Sequence, residues 1–256
     1  MVLYWSYLRG AVARVLQPGS PTTPGSYLRR PLTVAVRGAF FRLRAESDDI
    51  EFVLPYHKPS VENWFKPRPG DYVVDVGAHL GFYTIMAAKA GARVLAIEPN
   101  PEVFAGLLEN LSLNSLPEVR ALNCAAGKST GLRDLRVPTL FSGFGSLRPD
   151  WVPTNAVSSS IGLHEFQVNV DRLDTLVRPD SPVEVSWLLI DVEGAEADVL
   201  GGATNCLRRT RNLVLEVDRE TNTMACRRLI EDAGLRVMTK EHQSARTDYW
   251  LARRGG

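Results

Sequence analysis

The sequence predicts an α/β fold built on a mostly parallel, Rossmann-like sheet. Three observations carry this expectation. Short apolar runs ("YVVDV", "RVLAI", "WLLID", "NLVLEV") recur along the chain. Helical segments of about 10–15 residues separate most of them, as in doubly wound domains. A glycine-containing turn, "DVGAHLGFY", ends the first run, where such folds bind ligands beyond the carboxyl ends of their strands.

The elements follow in order. "MVLYWSYLRGAVARVL" reads as a helix, and "QPGSPTTPGS" as a linker. Residues 32–54 alternate and are expected to form short antiparallel strands turning at "ESDD". These segments make an N-terminal extension, residues 1–58; residues 59–256 make the main domain. "SVENWF" is a short helix before the strand "YVVDV". Then come the helix "LGFYTIMAAKAG", the strand "RVLAIEP", and a helix over 101–113 with Pro101 in its first turn. "VRALNCA" is the third strand, and 127–166 an irregular insert. The strand "WLLID", a helix through "EADVLGGATNCLR", the strand "NLVLEV" and a helix over 221–233 complete the alternation. "LRVMTK" and "TDYWLAR" form a terminal hairpin that adds antiparallel strands at the sheet edge.

The 256 residues are 45% hydrophobic and 23% charged, which excludes a disordered chain and allows a sizeable core. The net charge of +1 hides an asymmetry: seven arginines and no acid lie in residues 1–45, leaving −6 for the rest. A basic segment of this kind covers a core, meets phosphates or an anionic membrane face, or pairs with a second copy in a homodimer. Three cysteines without CxxC spacing argue against a disulfide framework. Arg9 and Arg14 interrupt the first helix too early for a membrane span, and no signal-peptide pattern follows it. The expected compartment is the cytoplasm.

In the first turn, Gly77 and Gly81 let the backbone approach a ligand, and the helix behind them offers free N–H groups. Glu98 ends the second strand, twenty-three residues after Asp75, where a carboxylate can take both hydroxyls of a ribose. A nucleoside-containing cofactor is indicated. A dinucleotide is disfavoured, because His79 stands where the fingerprint needs its middle glycine. "GKST" at 127–130 is a turn; Leu122 occupies the position of the first P-loop glycine.

"VVDVGAHLGFYTIMAAKAGARVLAIEPNPEVFAGLLENLSLN" resembles the first two motifs of class I S-adenosylmethionine-dependent methyltransferases. "VNVDRLDTL" followed by "WLLIDVEGAEADVLGGA" is similar to one branch, the FkbM family. The resemblance covers about residues 60–252 and implies a class I methyltransferase sheet with S-adenosylmethionine as cofactor. It implies that Asp75, Gly77 and Gly81 frame the methionine end, that Glu98 holds the ribose, and that Pro99, Asn100, Asn123 and Cys124 form the adenine wall. His79 replaces a common asparagine in that loop and reads chiefly as a helix-start residue.

Asp191 ends the strand expected beside the glycine loop, aimed at the cleft, with Glu193 next to it. One carboxylate can face the sulfonium, and another can deprotonate an acceptor. Glu216 is placed to pair with Asp191 or to bind substrate, while Glu196 suits a first helical turn. Asp191 and Glu216 offer oxygen ligands, but no third ligand is evident, so no metal is expected. His164 is a further candidate base, and the aromatic insert around Phe141, Phe144 and Trp151 a substrate cover. Asp171, Arg172 and Asp174 read as architectural. The function expected is O-methylation of a small molecule or carbohydrate; the alternative is nucleic-acid methylation using the basic segment. Against the alternative, "DVEG" stands where amino-methylating enzymes carry Asn/Asp-Pro-Pro-aromatic.

Overall fold

The computed structural model describes residues 28–53, 58–139, 141–148, 162–177, 184–220, 222–244 and 246–255. The expected first helix, His57 and Trp151 lie outside them. The chain enters through a hairpin, β1 (Leu32–Val36) and β2 (Ala39–Leu43), then α1 (Asp49–Val53) and α2 (Pro59–Trp64). Next come β3 (Tyr72–Val76), α3 (Phe82–Lys89), β4 (Arg93–Ile97), α4 (Pro101–Leu113) and β5 (Arg120–Leu122). Three strands follow, β6 (Ala125–Ala126), β7 (Gly131–Pro138) and β8 (Leu163–Asp171), then α5 (Leu173–Leu176) and β9 (Val185–Ile190). The chain ends with α6 (Glu196–Gly201), α7 (Thr204–Arg208), β10 (Thr210–Asp218), α8 (Thr223–Asp232), β11 (Leu235–His242) and β12 (Thr247–Arg254).

Seven strands form the main sheet in the order β11-β12-β10-β9-β3-β4-β5. β10, β9, β3, β4 and β5 run parallel, and β12 and β11 add antiparallel edges, as expected. Both faces of the sheet are covered, which is why its strands read as unbroken apolar runs. Val74, Val76, Leu188 and Ile190 face the core beneath α6, α7 and α8. Val73, Trp187 and Leu189, pointing the other way, pack with Val61, Phe65 and Ala87. No helix among the described residues is long and apolar enough to cross a membrane.

Four local expectations need correction. The hairpin turns at Arg37–Gly38, both with positive φ (53° and 77°), because a two-residue turn of this hand matches strand twist. "ESDD" instead leads into α1, where Asp48 and Asp49 are buried and hydrogen-bonded. "VRALNCA" divides between two sheets, since β6 leaves the main sheet and pairs with β8. The insert is not irregular throughout: β7 and β8 pair antiparallel over eight residues, burying Leu135, Val137, Val168 and Val170 on one face. The helix expected through "EADVLGGATNCLR" is two, α6 and α7, broken where Gly202 passes the Gly127 backbone; a Cβ there would lie 1.9 Å from the Gly127 carbonyl oxygen.

The hairpin is fastened to the domain by α4. Asn110 and Asn114, one turn apart, behave as an added strand edge for β2. Asn110 Oδ1 accepts the Arg42 N–H (2.6 Å), and its Nδ2 donates to the Leu80 carbonyl (3.1 Å). Asn114 exchanges two bonds with the Phe40 backbone. Ala39, Phe41 and Leu43 pack beside Phe82, Ile85 and Leu107. Asn110→Leu keeps the volume but strands two backbone groups; each unmade bond costs about 1–3 kcal/mol, so chemical denaturation is expected to show a loss of about 2–4 kcal/mol.

Candidate active site

β3, β4 and β9 end side by side, and the chain reverses its strand order between β3 and β9, the usual ligand position in open α/β sheets. A cleft of about 740 Å³, counting its open mouth, lies there. Its wall includes Gly77, His79, Glu98, Pro99, Asn100, Asp191 and Glu193, drawn from all three strand ends.

Gly77 has φ +85°, and a Cβ on it would lie 1.8 Å from the Asp191 carbonyl oxygen. No side chain fits, so the loop presents bare backbone to the cleft. Glu98 is buried and accepts N–H bonds from His79 (2.9 Å) and Asn100 (2.8 Å). Burial pushes its carboxyl up to about 7 against those two bonds, which pull the other way. Its oxygens keep lone pairs for further donors. His79 adopts φ 49°, its ring lies 4.0 Å from that of Phe52, and its Nε2 is 3.1 Å from Ser142 Oγ.

Asp75, Gly81, Asn123 and Cys124 sit behind this wall, while Asn100 is part of it. Asp75 is buried and accepts from Thr84 Oγ1 (2.6 Å), tying β3 to α3; burial raises it to about 6. Gly81 precedes α3. Asn100 caps α4 by accepting from Glu102 N–H. Asn123 donates to the Glu98 and Pro99 carbonyls (2.9 and 3.1 Å), and Cys124 is half-buried beyond it.

At the far end of the cleft, Asp191, Glu193 and Glu216 bring carboxylate oxygens within 4.8 Å of one another. Lys58 reaches into them: its ammonium bonds Asp191 Oδ2 and lies 3.8 Å from Glu216 Oε2 and 5.3 Å from the Tyr249 ring centre. Burial opposes the charge on Lys58, but Asp191 and Glu216 outweigh it and hold the amine protonated above its usual range. Burial, then Asp191, pushes Glu193 and Glu216 well above the usual carboxylate range. Burial and mutual repulsion thus favour the protonated forms of Glu193 and Glu216, and the Lys58 ammonium opposes them. Tyr249 Oη donates to Glu216 (3.1 Å).

Glu196 plays a different part. It begins α6, accepts the Gly194 N–H (2.7 Å) and an Asn222 N–H (2.6 Å), and so braces the loop that carries Glu193. His164 lies on β8 opposite Val137 and lines a neighbouring cavity that does not include Asp191. Asp174 accepts the N–H groups of Asn205 and Cys206, tying α5 to α7. From the insert, Ser142, Gly143, Gly145 and Leu147 line the cleft in place of the aromatic rings.

A model of the methyltransferase FkbM domain matches residues 75–245. The chain belongs to that family. It is an S-adenosylmethionine-dependent methyltransferase. It is 29% identical to methyltransferase 1 of Beauveria bassiana over 71% of this chain and 79% of that relative. It is 30% identical to the 31-O-demethyl-FK506 methyltransferase FkbM of Streptomyces tacrolimicus, over 59% of this chain and 66% of that one. It is 25% identical to the hexuronic acid methyltransferase AglP of Haloferax volcanii, over 75% of this chain and 71% of that one. The cleft fits the cofactor, with a backbone cradle at Gly77 and a buried acceptor at Glu98.

Lys58, Phe52 and Ser142 were not legible as site residues. Lys58 and Phe52 precede the matched family residues, and Ser142 stands in a loop without a motif. The one available signal for Lys58 was indirect: three convergent carboxylates need a cation, and "HKPS" supplies a lysine just before the domain.

A ribose diol at Glu98, the place the family resemblance implies, is accepted best by the ionised carboxylate. With its carboxyl near 7, affinity for S-adenosylhomocysteine is expected to fall as pH drops from 8 to 6, by up to about tenfold per unit below 7. Calorimetric titration checks this. Glu98→Gln should weaken binding at pH 8 and flatten the dependence.

Proposed function

We propose that the chain methylates a hydroxyl oxygen of a small molecule or sugar. One observation carries the reading: an ion pair, Lys58–Asp191, with the carboxyls of Glu193 and Glu216 beside it, faces the same cleft as Gly77 and Glu98. The names of two relatives, one for an O-methylation of FK506 and one for hexuronic acid, support the same class of acceptor.

S-Adenosylmethionine supplies a methyl group activated as a sulfonium. Gly77 and Glu98 bind and orient its carrier. The acceptor oxygen forms the new bond to the methyl carbon, the electron pair of the broken bond stays on sulfur, and the hydroxyl proton passes to Asp191. Asp191 is the member of the cluster bonded directly to Lys58 and the more exposed end of that pair. Glu193, on the rim, and Glu216, behind, relay the proton toward solvent and set the local charge. This is general-base work, worth typically about 10²–10⁴ in rate.

The nucleic-acid reading loses its main support in the extension. Arg29, Arg37, Arg42 and Arg44 each face a carboxylate of the chain, Glu46, Glu62, Glu109 and Asp49. These four charges are matched within the chain, and among the described residues no arginine lines the cleft.

Transfer of labelled methyl from S-adenosylmethionine to hexuronic acids, hexopyranosides, macrolides and bulk RNA tests the reading. Label in a hydroxyl compound is expected; label in RNA alone would sink it. With the acceptor so found, Asp191→Asn is expected to lower kcat by about 10²–10⁴ while S-adenosylhomocysteine affinity stays within about threefold.

A further inference from the structure

The carboxylate cluster has the makings of a divalent-cation site. Three acids from two strand ends, Asp191 and Glu193 after β9 and Glu216 on β10, converge oxygens within 4.8 Å. Oxygen-only ligand sets of this kind suit hard cations. In some methyltransferases such a cation draws in the acceptor oxygen and lowers the cost of its negative charge. Here the centre of the cluster is taken. Lys58, with only 9% of its side chain exposed, threads its ammonium between Asp191 and Glu216, and the Tyr249 ring closes it from the side. A buried ammonium is costly to place unless paired, so its position is built rather than incidental.

We propose that Lys58 is the resident cation of the acceptor site, standing where a divalent metal would otherwise sit and performing its task. This rests on the reading of the chain as an enzyme that methylates hydroxyl oxygen. The ammonium hydrogen-bonds Asp191 and stands in ion-pair range of Glu216 at 3.8 Å, and Lys58 also lines the cleft, where its remaining donor capacity meets the acceptor oxygen. As that oxygen gains the methyl carbon and gives its proton to Asp191, Lys58 stabilises the charge developing on it. The pattern also explains why a residue ahead of the matched family segment is needed at all: the motif strands supply the acids, and α2 brings the counter-charge from Lys58 at its start.

The proposal is tested without knowing the acceptor. Wild-type protein titrated with Mn²⁺ at pH 8 is expected to show no binding at this cluster. Lys58→Ala is expected to bind one Mn²⁺ per chain with a dissociation constant on the order of 10⁻⁴ M, and to lose it when combined with Asp191→Asn. At 10 mM Mn²⁺ the melting temperature of Lys58→Ala should rise by about 5 °C or more, and that of wild type should not. Should Lys58→Ala fail to fold without metal, Lys58→Ser, which keeps all three carboxyls and offers them a neutral donor, is read in the same way. One equivalent of Mn²⁺ bound by wild type and lost in Asp191→Asn would overturn the proposal. So would a folded Lys58→Ala that takes up no metal. With an acceptor from the screen above, wild-type turnover should resist EDTA, and Lys58→Ala should lose at least about 100-fold in kcat and recover part of it with Mn²⁺; EDTA-sensitive wild-type turnover would contradict the inference. Because the metal titration involves no acceptor, its failure is distinct from failure of the screen.

Discussion

The site is organised around a contact between two stretches of backbone. After β3 the chain turns through Gly77 at φ +85°, so close to the Asp191 carbonyl that a single added carbon would overlap it. The Asp191 N–H bonds the Val76 carbonyl, and the N–H groups of Gly77 and Ala78 both reach the Ile97 carbonyl. Three strand ends are thereby stitched into one rim. The cofactor loop cannot shift without moving the carboxylate strand, nor the carboxylate strand without moving Glu98. Bringing a cationic cofactor and a proton acceptor into fixed register is the main task of such an enzyme, and preorganisation of this kind is where much of a rate enhancement originates.

Charge is the second constraint, and it runs against stability. Asp75, Glu98 and Glu196 are buried and pushed up to about 6, 7 and 7, mainly by loss of water. A carboxyl whose folded pKa exceeds its unfolded one favours the fold at pH below about 4.5, and that contribution is lost as pH rises through the folded value. Near neutrality these groups therefore tax the fold. Each is held by hydroxyl, backbone or amide donors, and the Asp191 cluster by Lys58. Strain and buried charge concentrated at one rim, within an otherwise apolar sheet, are what a functional site is expected to look like.

Much of this was legible from residue order. Apolar runs separated by helical segments reveal the parallel sheet, because strands covered on both faces need no polar alternation. The glycine turn and Glu98 reveal a nucleoside site, because only a few residue types permit close backbone approach or hold a diol. Other features were hidden for physical reasons. β7 and the first residues of β8 looked irregular because their outer faces are polar and only four inward residues, Leu135, Val137, Val168 and Val170, carry a pattern. The hairpin turn at Arg37–Gly38 was masked by the more turn-like "ESDD", whose two aspartates are instead buried as partners for Arg44, Ser142 and Gly143. The helix break at Gly202 follows from a neighbour seventy-five residues earlier, Gly127, which no local window contains.

The order of residues is enough to indicate the class of fold, a nucleoside-containing cofactor and the candidate acids Asp191, Glu193 and Glu216, because each rests on local chemistry: periodicity, a tight turn, a carboxylate at a strand end; the family motifs add S-adenosylmethionine. It could not disclose what answers those acids. Lys58 lies 133 residues from Asp191 and reaches it only because α2 packs across the sheet beside β12. Whether three carboxylates face a metal, a proton or an ammonium is a question of long-range distance. In a low-dielectric cleft a few ångströms decide it, and folding sets those distances.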